Sequence, residues 1–265
     1  MINAVFRNYS ETIQSGDEME YLDKLSDAEV ESNLRAVREK INAVATAEGG
    51  CELLLATKTV SPRQINHVAA LMGGCLVGEN KAGELCDKYP YLDRERIRIH
   101  FIGHLQSNKV RQIIDKVEMI HSVDRRSLAE EIDRRAGERG IRMDVLCEIN
   151  IGREAEKSGV MPEDAEAFCE YLASLPNIRL RGVMTMAPRL EREEDYLPFF
   201  LETRRIYERI RAKALKNTQI DTLSMGMSDS YAAAAACGST VVRLGGAVFG
   251  RRIYPEARAE NDTNG

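Results

Sequence analysis

The clearest feature of the chain is an unbroken apolar run, Leu53 to Ala56, that stops short of Lys58. Gly49-Gly50 stand just before it. A short run of this kind reads as a strand buried on both faces, as in a parallel sheet covered by helices. Ahead of it, Ser26-Asp27-Ala28-Glu29 has the form of a capping box, and Val30, Leu34, Val37, Ile41 and Val44 fall on one helical face. After it, Ser61-Pro62 opens a second helix, with Ile65, Val68, Ala69 and Met72 on its buried side and Gly73-Gly74 at its end.

The alternation continues to the end of the chain. Strands are predicted at Cys75 to Gly78, Ile97 to Ile102, Val117 to Val123, Met143 to Ile151, Ile178 to Met186, Ile220 to Met225 and Thr240 to Leu244. Between them the pattern predicts helices after Glu79-Asn80 to Lys88, over 106–116, from Asp124 to Arg139, from Pro162 to Ser174, from Glu193 to Lys216, and from a cap at Ser228 or Asp229 to Cys237. Eight strands, each with a helical partner, give a (β/α)8 TIM-type barrel. We expect one domain over 26–254, a lead-in over 1–25 with a short helix, and a disordered tail over 255–265, where core patterning is lost. A doubly wound open sheet is the alternative; no dinucleotide fingerprint follows the first strand to support it.

Composition narrows the partners. The 265 residues are 43% hydrophobic and 30% charged, enough to bury a full core, and the net charge of -5 argues against a nucleic-acid or anionic-membrane surface. No apolar segment is long enough to span a bilayer, and the polar, acid-bearing stretch 1–20 resembles neither a signal nor a transit peptide. The six cysteines, none spaced as C-x-x-C, read as small buried groups in a reducing cytoplasm. The four scattered histidines give no metal site.

In a barrel of this kind the chemistry gathers at the C-terminal strand ends. Those ends bring Lys58, Glu79-Asn80, Gly103-His104, Asn150, Met184-Thr185, Ser224-Met225-Gly226 and Arg243 through Gly246 into one ring. Two readings of Lys58 compete: a solvated loop residue, or a partly desolvated amine whose lowered pKa frees it to form a Schiff base. The ring has an amine on one side and glycines after the last strand on the other, the usual phosphate position. It therefore suits a phosphorylated aldehyde. Taken singly, the other groups have plainer readings: Arg243 a structural ion pair, His100 and His104 satisfied histidines, Ser228-Asp229 an N-cap, the methionines core.

Several stretches then carry a specific resemblance. They are Ala56-Thr57-Lys58-Thr59, Gly78-Glu79-Asn80, the run His100 to Lys109 (HFIGHLQSNK), Lys157-Ser158-Gly159, Arg181 to Met186, Leu223 to Asp229 (LSMGMSD), and Val242 to Gly250. Together they resemble the pyridoxal phosphate homeostasis protein family, single-domain relatives of the alanine racemase barrel. The resemblance implies pyridoxal phosphate as cofactor, with Lys58 as the aldimine lysine. It places Arg243 against the pyridine nitrogen, Ser224 with the Gly245-Gly246 backbone on the phosphate, and Asn80 and Met184 in the pocket lining. The chain departs from the pattern at Gly246, where the family usually has a hydroxyl residue, and at Ala82-Gly83, where it commonly has Val-Gln.

Three classes of function fit these residues: a non-catalytic carrier of the cofactor, a pyridoxal phosphate-dependent amino-acid racemase, and a Schiff-base aldolase without cofactor. We expect the carrier, because the resemblance supplies two-domain racemases with a second base from a domain that this sequence does not contain. Its expected partners are pyridoxal phosphate and the apo-enzymes that require it; we expect a cytoplasmic monomer, with no nucleic acid and no membrane.

Overall fold

A computed structural model describes residues 23–250. The proposed tail over 255–265, and nearly all of the lead-in over 1–25, lie outside those residues. The elements run in the order α1 (Asp27–Val44), β1 (Glu52–Ala56), α2 (Pro62–Met72), β2 (Cys75–Glu79), α3 (Ala82–Lys88), β3 (Ile97–Phe101), α4 (Val110–Ile113), β4 (Met119–Val123), α5 (Arg126–Glu138) and β5 (Met143–Ile149). They continue with α6 (Ala165–Ser174), β6 (Ile178–Thr185), α7 (Leu197–Ala212), β7 (Thr218–Ser224), α8 (Tyr231–Ala236), β8 (Val241–Leu244) and α9 (Gly246–Phe249). All eight strands are parallel and close into a barrel in sequence order, with β8 returning to β1 at Leu54↔Arg243 and Leu55↔Leu244.

The local signals account for the first helices. At α1 the Ser26 hydroxyl accepts from Glu29 N–H while the Glu29 carboxylate accepts from Ser26 N–H at 2.8 Å, the reciprocal capping box. The buried face of α1 is Val30, Leu34, Val37 and Ile41. It packs against α9, α8 and α2 and so closes the helical ring where the chain begins. At α2 the Ser61 hydroxyl accepts from Gln64 N–H at 3.1 Å, Pro62 begins the helix, and Gly73 ends it at φ 68°.

Three expectations are corrected. The helix over 106–116 is a 3-10 turn, Ser107–Lys109, leading into the short α4. The run from Glu193 begins as a 3-10 turn, Glu193–Tyr196, and becomes α-helical only at Leu197, where Pro198 sits in the first turn. Neither Ser228 nor Asp229 caps α8: the N-cap is Ser230, and its hydroxyl accepts from Met227 N–H at 3.2 Å.

Two apolar layers lie on the two faces of the sheet. Outside it, Leu53, Leu55, Val77, Val145 and Val183 join the helices in one large core. Inside, Leu54, Leu76, Ile102 and Val241 form one cluster and Met119, Leu146 and Met184 another. The barrel is therefore plugged. At its N-terminal end Asp144 pairs with Arg179 and Arg181, and Arg181 with Asp221. No cysteine is paired, and among the described residues no helix is long and apolar enough to cross a membrane.

Candidate functional site

β1 ends at Ala56, and the chain turns at once. Val60 N–H donates to Thr57 O at 2.9 Å, so Lys58 and Thr59 are the two central residues of a tight turn. Lys58 lines a cavity of about 1250 Å³ at the C-terminal mouth of the barrel. Ser228, Gly245, Gly246 and Ala247 line it too, and Met186 and Met227, also in its lining, are exposed. Lys58 is itself solvent-exposed.

The other anticipated residues fall at two levels. Gly245 and Gly246 line the cavity with Lys58. A side chain at Gly245 would place its Cβ 2.9 Å from Ala56 O, so bare backbone is required there. Gly246 has no positive φ, so a residue with a hydroxyl meets no backbone penalty at that position. Asn80 follows directly on the last residue of β2, and its buried Oδ1 has no protein partner. Met184, Ser224 and Arg243 belong to the barrel interior: Met184 packs on Met119 and Leu146, and the other two are buried and bonded to each other.

That interior pair is part of a longer chain of hydrogen bonds. Arg243 donates through Nη1 to Ser224 Oγ at 2.7 Å and through Nη2 to Thr185 O at 2.9 Å. Ser224 Oγ lies 3.2 Å from His121 Nδ1, and His121 Nε2 lies 2.9 Å from His100 Nδ1. Burial holds both imidazoles neutral, with His100 pushed down to about 3 and His121 well below its usual value. Each neutral ring has one donor nitrogen, so the two tautomers are locked to each other. Burial also lowers Arg243 to about 10, with Glu148 opposing the shift, which leaves the guanidinium charged at neutral pH. Glu148 is buried with its Oε2 unpartnered; burial and then Asp124 raise it to about 7.

Ser224 was assigned to the phosphate from sequence. Its hydroxyl is committed to Arg243 and His121, and the hydroxyl at the rim is that of Ser228, which accepts from Ala247 N–H at 3.3 Å. Both serines belong to Ser224-Met225-Gly226-Met227-Ser228, and of the two only Ser228 lines the cavity. Strand alternation carries the available signal: Thr222 and Ser224 share the inward face of β7, and Gly226 at φ 94° then turns the chain outward. Asn150 serves structure: its side chain bonds Glu154 O at 2.8 Å and Glu154 N–H at 3.1 Å, closing the loop that brings Lys157 to the cavity. His104 bonds Ser158 at 3.0 Å. His121 and Lys88 were missed as chemically distinctive. Among the described residues no cluster of metal-ligating side chains occurs.

Comparison with known proteins identifies the family. The family model described as alanine racemase, N-terminal domain, matches residues 30–253. A pyridoxal phosphate homeostasis protein of Aquifex aeolicus is 39% identical over 221 residues, covering 83% of this chain and 96% of its own. The protein of the same name from Escherichia coli K12 is 36% identical over 233 residues, covering 85% and 98%. Among solved structures, a protein of unknown function from Bifidobacterium adolescentis superposes with a TM-score of 0.79 at 33% identity, over 86% of this chain and 98% of that one. PipY of Synechococcus elongatus, solved with PLP bound, gives 0.72 at 27% identity, over 83% and 100%.

Proposed function

The chain belongs to the pyridoxal phosphate homeostasis protein family, and on that premise we propose that it binds pyridoxal phosphate in the cavity at the barrel mouth. We assign the aldehyde to Lys58 and the phosphate to the rim formed by Ser228, Gly246 and Ala247. Arg243 we assign to the ring nitrogen. The observation that carries the reading is that Lys58, just beyond β1, and the glycine-rich turn just beyond β8 line one cavity. The residues present suit the ligand. The cavity is ample for a small phosphorylated aromatic, Asn80 offers a buried polar atom without a protein partner, and Gly245 leaves backbone bare beside Ala56.

When bound, pyridoxal phosphate supplies an aldehyde that an amine can take as an imine with loss of water. The protein's own groups do the rest. Lys58 provides the amine. The Ser228 hydroxyl and the backbone N–H groups beside it hold the anion. Arg243 would hold the ring nitrogen, and its positive charge there would oppose protonation of that nitrogen and weaken the ring as an electron sink. Tyr196 also lines the cavity, but its hydroxyl is engaged by Leu190 N–H at 3.0 Å and donates to Leu190 O at 3.2 Å, so it is a poor candidate for a second base. We therefore favour a protein that holds and hands on the cofactor, with apo-enzymes as recipients, acting as a cytoplasmic monomer. The names borne by its relatives, which are those of homeostasis proteins and not of enzymes, accord with this.

The test is borohydride reduction of the loaded protein followed by peptide mapping. The label is expected on Lys58, and Lys58→Ala should lose the visible absorbance while melting as the parent does, because the side chain is exposed. A label confined to another lysine overturns the assignment. Incubation with alanine in deuterated water separates carrier from racemase: rapid α-deuterium exchange with inversion would favour the enzyme.

A further inference from the structure

The turn that presents Lys58 is one its own sequence does not favour. Thr59 stands at φ 64°. A turn with a positive φ at its third position prefers Gly or Asn there, and a β-branched residue is an outlier. A group from outside must hold it.

That group is a charge cluster buried between the sheet and α3. Lys88, the last residue of α3, is 0% exposed. Its ammonium donates to Thr57 O at 2.7 Å, to Glu84 Oε1 at 2.6 Å and to Glu79 Oε1 at 3.0 Å. Each carboxylate also reaches back to the turn. Glu79 Oε1 accepts from Thr57 Oγ1 at 2.7 Å, and Glu84 Oε1 accepts from Thr59 N–H at 2.5 Å. Both neighbours of Lys58 are thus fastened to the cluster, while Lys58 itself lines the cavity.

The closure of the barrel does not explain this arrangement. β1 and β2 are already in register at Leu54↔Leu76, Leu55↔Val77 and Ala56↔Gly78. Where only stability is at stake, well-packed apolar residues of similar volume serve as well as a buried ion cluster. What the cluster adds is direction: charge-assisted bonds fixing a strained turn in one geometry. Resting on the reading of Lys58 as the attachment amine, we propose that Lys88, Glu79 and Glu84 are positioning residues that clamp the Thr57–Val60 turn and so present the Lys58 amine to the cofactor's aldehyde.

The experiment compares the parent with Glu84→Leu, Glu84→Gln and Thr57→Val, all as cofactor-free full-length protein. Pyridoxal phosphate is added, samples are reduced with borohydride at intervals, and the rate of labelling at Lys58 is read by peptide mapping. Formaldehyde with cyanoborohydride, a probe without phosphate, gives the pH dependence of the same amine. Amide hydrogen exchange at Thr59 reports the turn. Glu84→Leu should speed exchange at Thr59, slow labelling at Lys58 by roughly tenfold or more, and shift the pH profile. Glu84→Gln retains an oxygen for Thr59 N–H and should recover most of the rate. Thr57→Val keeps the side-chain shape while removing the bond to Glu79, and tests the same clamp should Glu84→Leu fail to fold. A variant that is folded and exchanges quickly at Thr59, yet labels at the parental rate with the parental pH profile, overturns the proposal. A parent that labels elsewhere overturns the attachment reading itself, so the two failures are told apart by the parent alone.

Discussion

Replacing Lys88 by methionine keeps the length of the side chain and removes its ammonium. Thr57 O, Glu79 Oε1 and Glu84 Oε1 each lose one donor. None is left bare, because Val60 N–H, Thr57 Oγ1 and Thr59 N–H remain. What is left uncompensated is charge: two carboxylates buried at 0% and 3% exposure. Removing one partner of a buried pair costs about 3–5 kcal/mol. The carboxyls have an escape, which is to take up a proton. For a glutamate titrating near 4.3 in the unfolded chain, that uptake costs about 3.7 kcal/mol at pH 7 and about 1 kcal/mol at pH 5. Glu79 is already raised by burial despite Lys88, so it takes the proton more easily, and Glu84 determines most of the loss.

The expected deficit is about 4 kcal/mol at pH 7, or roughly 8–16 °C in Tm for a chain of this size. The sign of its pH dependence follows from linkage. In the variant the folded-state carboxyl binds its proton more tightly than the unfolded one. Its contribution is then full at low pH and lost as pH rises through the raised value, so the deficit shrinks toward pH 5 and grows toward pH 8. Urea unfolding of parent and Lys88→Met at the three pH values measures it. A deficit under about 1 kcal/mol at pH 7, or one equal at pH 5 and pH 8, would refute the reasoning.

Two further outcomes are expected. Ser228→Ala should weaken pyridoxal phosphate binding by one charge-assisted hydrogen bond, about 1.5–3 kcal/mol by titration of the cofactor-free protein, while Ser224→Ala should leave phosphate affinity largely intact; equal weakening by both would refute the reassignment. Glu148, raised from 4.5 to about 7, is favoured in its protonated form, so its contribution is full below pH 4.5 and lost as pH rises through about 7. Glu148→Gln should therefore gain on the parent by about 2.5 kcal/mol between pH 5 and pH 8 in urea unfolding, and a constant difference would show that the carboxyl does not titrate in the folded protein.

The barrel was legible because each strand is an apolar run next to a helix start with its own chemistry, such as Ser61-Pro62 or Ser26 with Glu29. The misjudged helix starts lay where local signals conflict: Pro198 delays α7, and Ser228 is drawn to Ala247 instead of capping α8. Lys58 was legible as the first cation beyond a buried run. Lys88 was not, because a lysine closing a short helix is ordinarily solvated, and two of its three acceptors arrive from β2 and the Lys58 turn only when the sheet is formed. The same holds inside the barrel. His121 and Ser224 are 103 positions apart and meet only because β4 and β7 face one another across a closed interior.

The interior chain also bears on what the protein does with its cofactor. Arg243 is 5% exposed, yet the two acceptors on its guanidinium are a serine hydroxyl and a backbone carbonyl, both neutral. Among the described residues it makes no ion pair, and Glu148 acts on it only through space. A buried cation in this state lacks the compensation that a bonded carboxylate would give. The imidazoles behind it are neutral and cannot add charge of either sign. They fix Ser224, and Ser224 fixes the guanidinium. The result is a rigid donor, charged at neutral pH, whose acceptors among the described residues are both neutral. An unprotonated ring nitrogen is such an acceptor, and a protonated one is not. On the proposed reading, pyridoxal phosphate bound with its ring nitrogen at Arg243 would stay unprotonated there and so withdraw electrons only weakly from a bound amino acid.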